Sequence, residues 1–120
     1  MRIISMLLIS LALFSSCKKK EKLPEGILKP EKMQAVLWDV IKAEVFTTDF
    51  IKKDSAKNAE AENLKLQQQV FAIHKITKAD FYNSYDYYIT HTPAFKKIID
   101  SMLTQADRNK NFKASTLQAQ

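Results

Sequence analysis

Between residues 31 and 92 this chain contains neither a glycine nor a proline. Tight hairpins draw on residues that adopt positive φ or on proline-set turns, so a run of this length without either leaves little room for strand pairing. Helices need no such residues in their interior, and the prediction is an all-α chain. The only glycine is Gly26, and the prolines are Pro24, Pro30 and Pro93, near the ends of that run. A glycine-built phosphate loop is excluded by the same observation.

Apolar spacing divides the run into elements. Pro30 suits a first helical turn because its φ is fixed and its missing N–H would have no partner there. Met33, Val36, Leu37, Val40 and Ile41 then form one apolar face, and the helix is expected to continue past Phe46 to Phe50-Ile51. Lys52 to Ala59 reads as a loop. A second helix is expected from Glu60 to Lys75, with Leu64, Leu66, Val70, Phe71 and Ile73 spread widely enough to pack on two sides. Thr77-Lys78-Ala79-Asp80 has the pattern of a capping box, with Ile76 and Phe81 placed as a hydrophobic staple, so a third helix starts there. That helix carries Phe81, Ser84, Tyr85 and Tyr88 on one face. His91-Thr92-Pro93 breaks it, and Thr92 as cap with Pro93 behind it opens a fourth helix bearing Phe95, Ile98, Ile99, Met102, Leu103 and Ala106. The expected architecture is a small bundle of three to four helices over residues 30–108, with a disordered polar tail over 109–120.

The chain begins differently. Met1-Arg2 precedes an apolar run from Ile3 to Phe14, a length typical of a secretory signal and short of the roughly 20 residues needed to cross a bilayer. Phe14-Ser15-Ser16-Cys17 resembles the lipobox of bacterial lipoproteins, with Phe14 at the position where Leu is commoner. That resemblance implies a signal peptide over 1–16, removed on maturation, and acylation of Cys17. Cys17 is the only cysteine, so it cannot close a disulfide within the chain; a free thiol or an intermolecular bridge is the other way to account for it. Several acyl chains on one residue give lasting attachment to a membrane lipid surface. Residues 17–29 read as the lipidated cysteine and a flexible basic tether. No Asp follows Cys17, and the run Lys18-Lys19-Lys20 is basic where surface-displayed lipoproteins of Bacteroidetes carry acids. By resemblance the expected address is the periplasmic face of the outer membrane.

The net charge of +6 does not point to nucleic acid. From Pro24 to Arg108 there are twelve Lys or Arg against twelve Asp or Glu. The excess lies in Arg2, the tether, Lys110 and Lys113. A nucleic-acid-binding domain would carry a basic stripe on a folded face, and none is visible. Beside an acyl anchor the tether lysines can meet anionic headgroups, or they form a solvated spacer.

Five residues are candidates for binding a ligand or partner. Glu44 falls about 20° from the centre of the first helix's apolar face, where a carboxylate must be paired, protonated or directed into a cleft. A structural partner such as a Lys, a Tyr hydroxyl or a helix N-terminus is the plainer reading. Asp39 lies at the edge of that face, solvated or paired with Lys42 or Lys32. His74 lies in the apolar arc of the second helix near its C-terminus, as a structural histidine would. Tyr82 and Tyr87 lie off the core face of the third helix, where exposed tyrosines suit interfaces. No metal-ligand spacing and no nucleophile motif is present, so no catalytic residue, metal or cofactor is expected.

Across these pieces the chain resembles the Bacteroidetes lipoproteins built on domain of unknown function 4296. The resemblance rests on Pro24-Glu25-Gly26-Ile27-Leu28-Lys29-Pro30-Glu31-Lys32-Met33, on Leu37-Trp38-Asp39-Val40 with Ala43-Glu44, and on His74-Lys75-Ile76-Thr77. It continues through Phe81, Ser84, Tyr87-Tyr88, Pro93, Ile98 and Ile99. Lys75 stands where that family often has Gly, implying a different helix exit. The resemblance implies a helical envelope lipoprotein and assigns no catalytic residues. Two functional expectations remain: a non-catalytic binding or scaffold module that meets another envelope protein, or a ligand-binding or weakly catalytic protein with a cleft around Glu44, His74 and the tyrosines.

Overall fold

The structure, a computed structural model, describes residues 22–118. The expected signal peptide over 1–16, Cys17 and Lys18–Lys20 lie outside the described residues. Four α-helices follow one another: α1 (Pro30–Phe46), α2 (Ala59–His74), α3 (Lys78–Thr90) and α4 (Thr92–Gln118), with a π-helical turn over Thr47–Ile51. The all-α expectation holds.

α1 is the hub, touching each of the other three helices. Pro30 occupies its first turn as expected. The core gathers Met33, Val36 and Leu37 of α1, Phe71 of α2, Phe81 and Tyr88 of α3, and Ile98 and Met102 of α4. Phe71 and Phe81 meet with ring centroids 5.3 Å apart. Helical periodicity does continue to Ile51, but through a wider turn, in which the Lys52 N–H donates to the Thr47 carbonyl. Thr47 is buried and donates its hydroxyl to the Ala43 carbonyl at 2.9 Å. A side chain competing for a backbone acceptor in this way weakens and bends the helical ladder, and the wider turn begins at this residue.

α2 differs from the expectation of a helix packed on two sides. Only Phe71 is buried, while Leu64 and Ile73 are exposed. The helix does meet both α1 and α3, but the contacts converge on Phe71 and leave the rest of the apolar arc outside them. The helix ends with Lys75 in the left-handed region, φ 54°. The Lys75 N–H donates to Ala72 O and the Ile76 N–H to Phe71 O, a Schellman closure. Phe71 belongs to the core cluster and Ile76 packs against that cluster, which supplies the apolar clasp of that motif.

The capping box at the start of α3 forms in both directions: the Asp80 N–H donates to Thr77 Oγ1 at 3.0 Å and the Thr77 N–H to Asp80 Oδ2 at 2.8 Å. α4 starts one residue earlier than expected. His91 O accepts from Ala94 and Phe95, so Pro93 is the second helical residue. α4 also runs on to Gln118, where the sequence suggested a disordered tail after Arg108. Nothing in that polar stretch is a helix breaker, so the backbone ladder continues beyond Met102, the last buried side chain among the described residues.

Part of the segment expected to be tether is packed on the fold. Leu23, Ile27 and Leu28 pack on the core. Pro24 O accepts from the Ile27 N–H, and Gly26 takes φ 82°, the geometry of a type II turn that favours glycine at this position. Leu28 is then held twice by α3. Its N–H donates to Ser84 Oγ at 2.8 Å, and its carbonyl accepts from the Tyr88 hydroxyl at 2.7 Å. Ser84 in turn donates to Asp80 O, so this fully buried hydroxyl has both roles filled.

Candidate functional site

The five candidate residues are dispersed over four places. Asp39 and His74 come together, joining α1 to the end of α2. His74 Nε2 lies 2.8 Å from Asp39 Oδ2, and Lys42 Nζ lies 2.7 Å from Asp39 Oδ1. The carboxylate thus binds a different partner through each oxygen. Its burial would raise its pKa, but the hydrogen bonds and charges of Lys42 and His74 outweigh that and hold it below the ordinary carboxylate value. Among the described residues no cluster of three or more His, Cys, Asp or Glu is assembled that could hold a metal ion.

Glu44 is exposed and not at the centre of a buried face. The buried residues around it on α1 and the π turn are Ala43 and Thr47, and one residue step turns Glu44 about 100° away from Ala43. The packing face drifts round α1 toward its C-terminus, which a periodicity measured from Met33 does not include. The Glu44 carboxylate accepts from the side-chain amide of Asn63 on α2.

Tyr82 is partly exposed. The Lys78 ammonium lies 5.7 Å from its ring centre and Gln67 Oε1 3.4 Å from its hydroxyl. Tyr87 does not point outward as expected. It is half-buried, packs edge-on against Tyr88 at 5.3 Å and stacks on His91 at 3.9 Å. The His91 Nδ1–H donates to the Tyr87 carbonyl at 2.7 Å, closing α3. Tyr87 therefore helps end a helix. Its neighbour Tyr88 is pushed up to about 12, first by burial, which suits a hydroxyl that must remain protonated to donate to Leu28.

The expected cleft around Glu44, His74 and the tyrosines is not formed by these contacts. Two depressions lie on α1 instead. One, of about 490 Å³, is lined by Glu31, Gln34, Ala35, Trp38, Asp39, Lys42 and Gln105. The other, of about 230 Å³, is lined by Trp38, Ile41, Lys42, Val45, Phe46 and Phe50. Asp39 reaches the first; Glu44 and His74 line neither.

The second depression is the centre of a surface that the sequence reading missed. Ile41, Val45, Phe46 and Phe50 are 43%, 51%, 48% and 64% exposed, and the Phe46 and Phe50 rings stack at 5.2 Å. Exposed apolar patches of this kind on a small protein often mark interaction sites. A signal was available: Trp38, Ile41 and Val45 recur at three- and four-residue spacing, a second stripe beside that of Met33, Val36 and Leu37. Ile41 was expected in the core stripe and belongs to the outer one.

Among the described residues no helix is long and apolar enough to cross a membrane. No curated protein and no solved structure matches the chain. The family model described as domain of unknown function DUF4296 matches residues 24–111, beginning at the Pro24 turn that the fold holds against α3. The chain belongs to the DUF4296 family.

Proposed function

We propose that this protein is a lipid-anchored, non-catalytic helical binding module of the bacterial cell envelope, tethered through acylated Cys17 and displayed at the periplasmic face of the outer membrane. The observation that carries the reading is the shortness of the link. Cys17 ends a lipobox-like sequence, and only six residues later Leu23 already packs on the core. A chain of that length spans at most about 20 Å, so an anchor at Cys17 keeps the bundle at a bilayer surface. The polar side chains that might have served catalysis are engaged in pairs between helices: Asp39 with His74, and Glu44 with Asn63. That suits a module whose faces present a fixed shape to an envelope protein. It also gives the reading an advantage over a catalytic cleft, since of those residues only Asp39 reaches a depression on α1.

The test is metabolic labelling with a clickable fatty acid, comparing the wild type with Cys17→Ala. Label on the wild type alone, with a mature chain starting at Cys17, is the expected result. An unmodified thiol with residues 1–16 still attached would overturn it.

A further inference from the structure

The outer stripe of α1 and the π turn is apolar and aromatic, and apart from the half-buried Trp38 it is exposed. Trp38, Ile41, Val45, Phe46 and Phe50 share it, and its two phenylalanines are stacked in the open. We propose that this face rests on the phospholipid surface to which the chain is tethered, so that the domain has one membrane-facing side. This rests on the anchored reading above and deepens it, assigning the lipid side of the module and leaving the α2 and α3 faces for protein contact.

Three observations favour lipid over another protein as the occupant. The first is size. Aromatic side chains bury roughly 150–250 Å² each when fully covered, and these are about half exposed. The free apolar area is then on the order of 400 Å², about half of the 800 Å² per partner typical of a stable protein interface. A domain already held at the bilayer needs far less contact, because its tether supplies a high effective concentration.

The second is charge. Asp39 and Glu44 are drawn to the α2 side by His74 and Asn63. With Lys42 paired to Asp39, the exposed charges after the stripe are Lys52 and Lys53 against Asp49, a small cationic excess complementary to anionic headgroups.

The third is composition. Tryptophan and phenylalanine beside lysine is the mixture that settles at headgroup depth, the rings in the acyl boundary and the ammonium groups in water. With a reach of up to about 20 Å, twice the diameter of a helix, the link from Cys17 does not prevent this face from meeting the membrane.

Trp38 is the only tryptophan of the chain and, half-buried, lines the depression at the centre of this face, so its fluorescence reports on what covers that depression. Protein purified from envelopes is first weighed by mass spectrometry, which decides the anchor independently. It is then placed in vesicles of phosphatidylethanolamine and phosphatidylglycerol, with and without brominated acyl chains. Trp38 emission should shift to shorter wavelength, lose most of its intensity to the brominated lipid and become insensitive to acrylamide. In Val45→Ser/Phe50→Ser, whose replaced side chains are more than half exposed, brominated quenching should disappear while the helical circular dichroism signal is kept. A wild-type Trp38 that stays open to acrylamide and indifferent to brominated lipid overturns the proposal. So does a Trp38 shielded from both quenchers, the result expected if a second copy or another protein covers the face. Should Cys17 prove unmodified, the same chain mixed with added vesicles still tests the face, and quenching there would support it without the anchor.

Discussion

Lys75 holds a left-handed conformation, φ 54°, that costs a residue with a Cβ but not glycine. The Schellman bonds of its N–H and of Ile76 require that geometry whatever the side chain. Replacing Lys75 with glycine should stabilise the domain by about 0.5–1 kcal/mol, read as a rise in urea midpoint at constant slope. The two residues that hold Leu28 behave in the opposite way. Ser84→Ala removes the acceptor from the Leu28 N–H and leaves a part-buried donor unpaired, at a cost of about 1–3 kcal/mol. Tyr88→Phe keeps the ring in the core and removes only its hydroxyl bond to Leu28 O, costing about 1 kcal/mol. Amide exchange at Leu28 should accelerate in the serine variant well before the core amides do; equal acceleration throughout would show that the segment has no independent attachment.

Helix boundaries show which features can be read from sequence. Thr77 and Asp80 form their box as written, because a cap depends on residues three apart in one local geometry. Thr77→Ala should cost about 1 kcal/mol, measurable by thermal denaturation. Burial was less legible, since it depends on which neighbour covers a face. Glu44 looked buried by its angle from Met33 and is exposed, while Leu64, Ile73 and Leu103 looked like core and are exposed. Tyr87 was assigned to the outside and is half-buried because His91, one turn on, folds back over its ring. The Asp39–His74 pair lay in the list of candidates, but nothing within either helix indicates that residues 35 apart would meet. Beyond Arg108, the described side chains of α4 are exposed. Deleting residues 109–120 should lower the helical circular dichroism amplitude and leave the unfolding midpoint nearly unchanged.

For the whole molecule, two titrations bound the range of stability. Asp39 has a folded pKa below its ordinary 3.8, so its contribution is complete above that value and is lost as pH falls through the depressed one. Asp39→Asn should therefore flatten the acid limb of a stability-against-pH curve. Tyr88, raised from 10.0 to about 12, acts in the other direction. Its contribution is complete below pH 10.0 and is lost as pH rises through about 12. Tyr88→Phe should flatten the alkaline limb and leave the acid one alone. The docking of Leu23 to Leu28 also has a mechanical consequence. A slack leader would absorb tension applied at the N-terminus, but here a pull arrives first at the bonds of Ser84 and Tyr88. Those two contacts are placed to break before the bundle does, so a force experiment pulling from Cys17 should record a small early rip ahead of the main one.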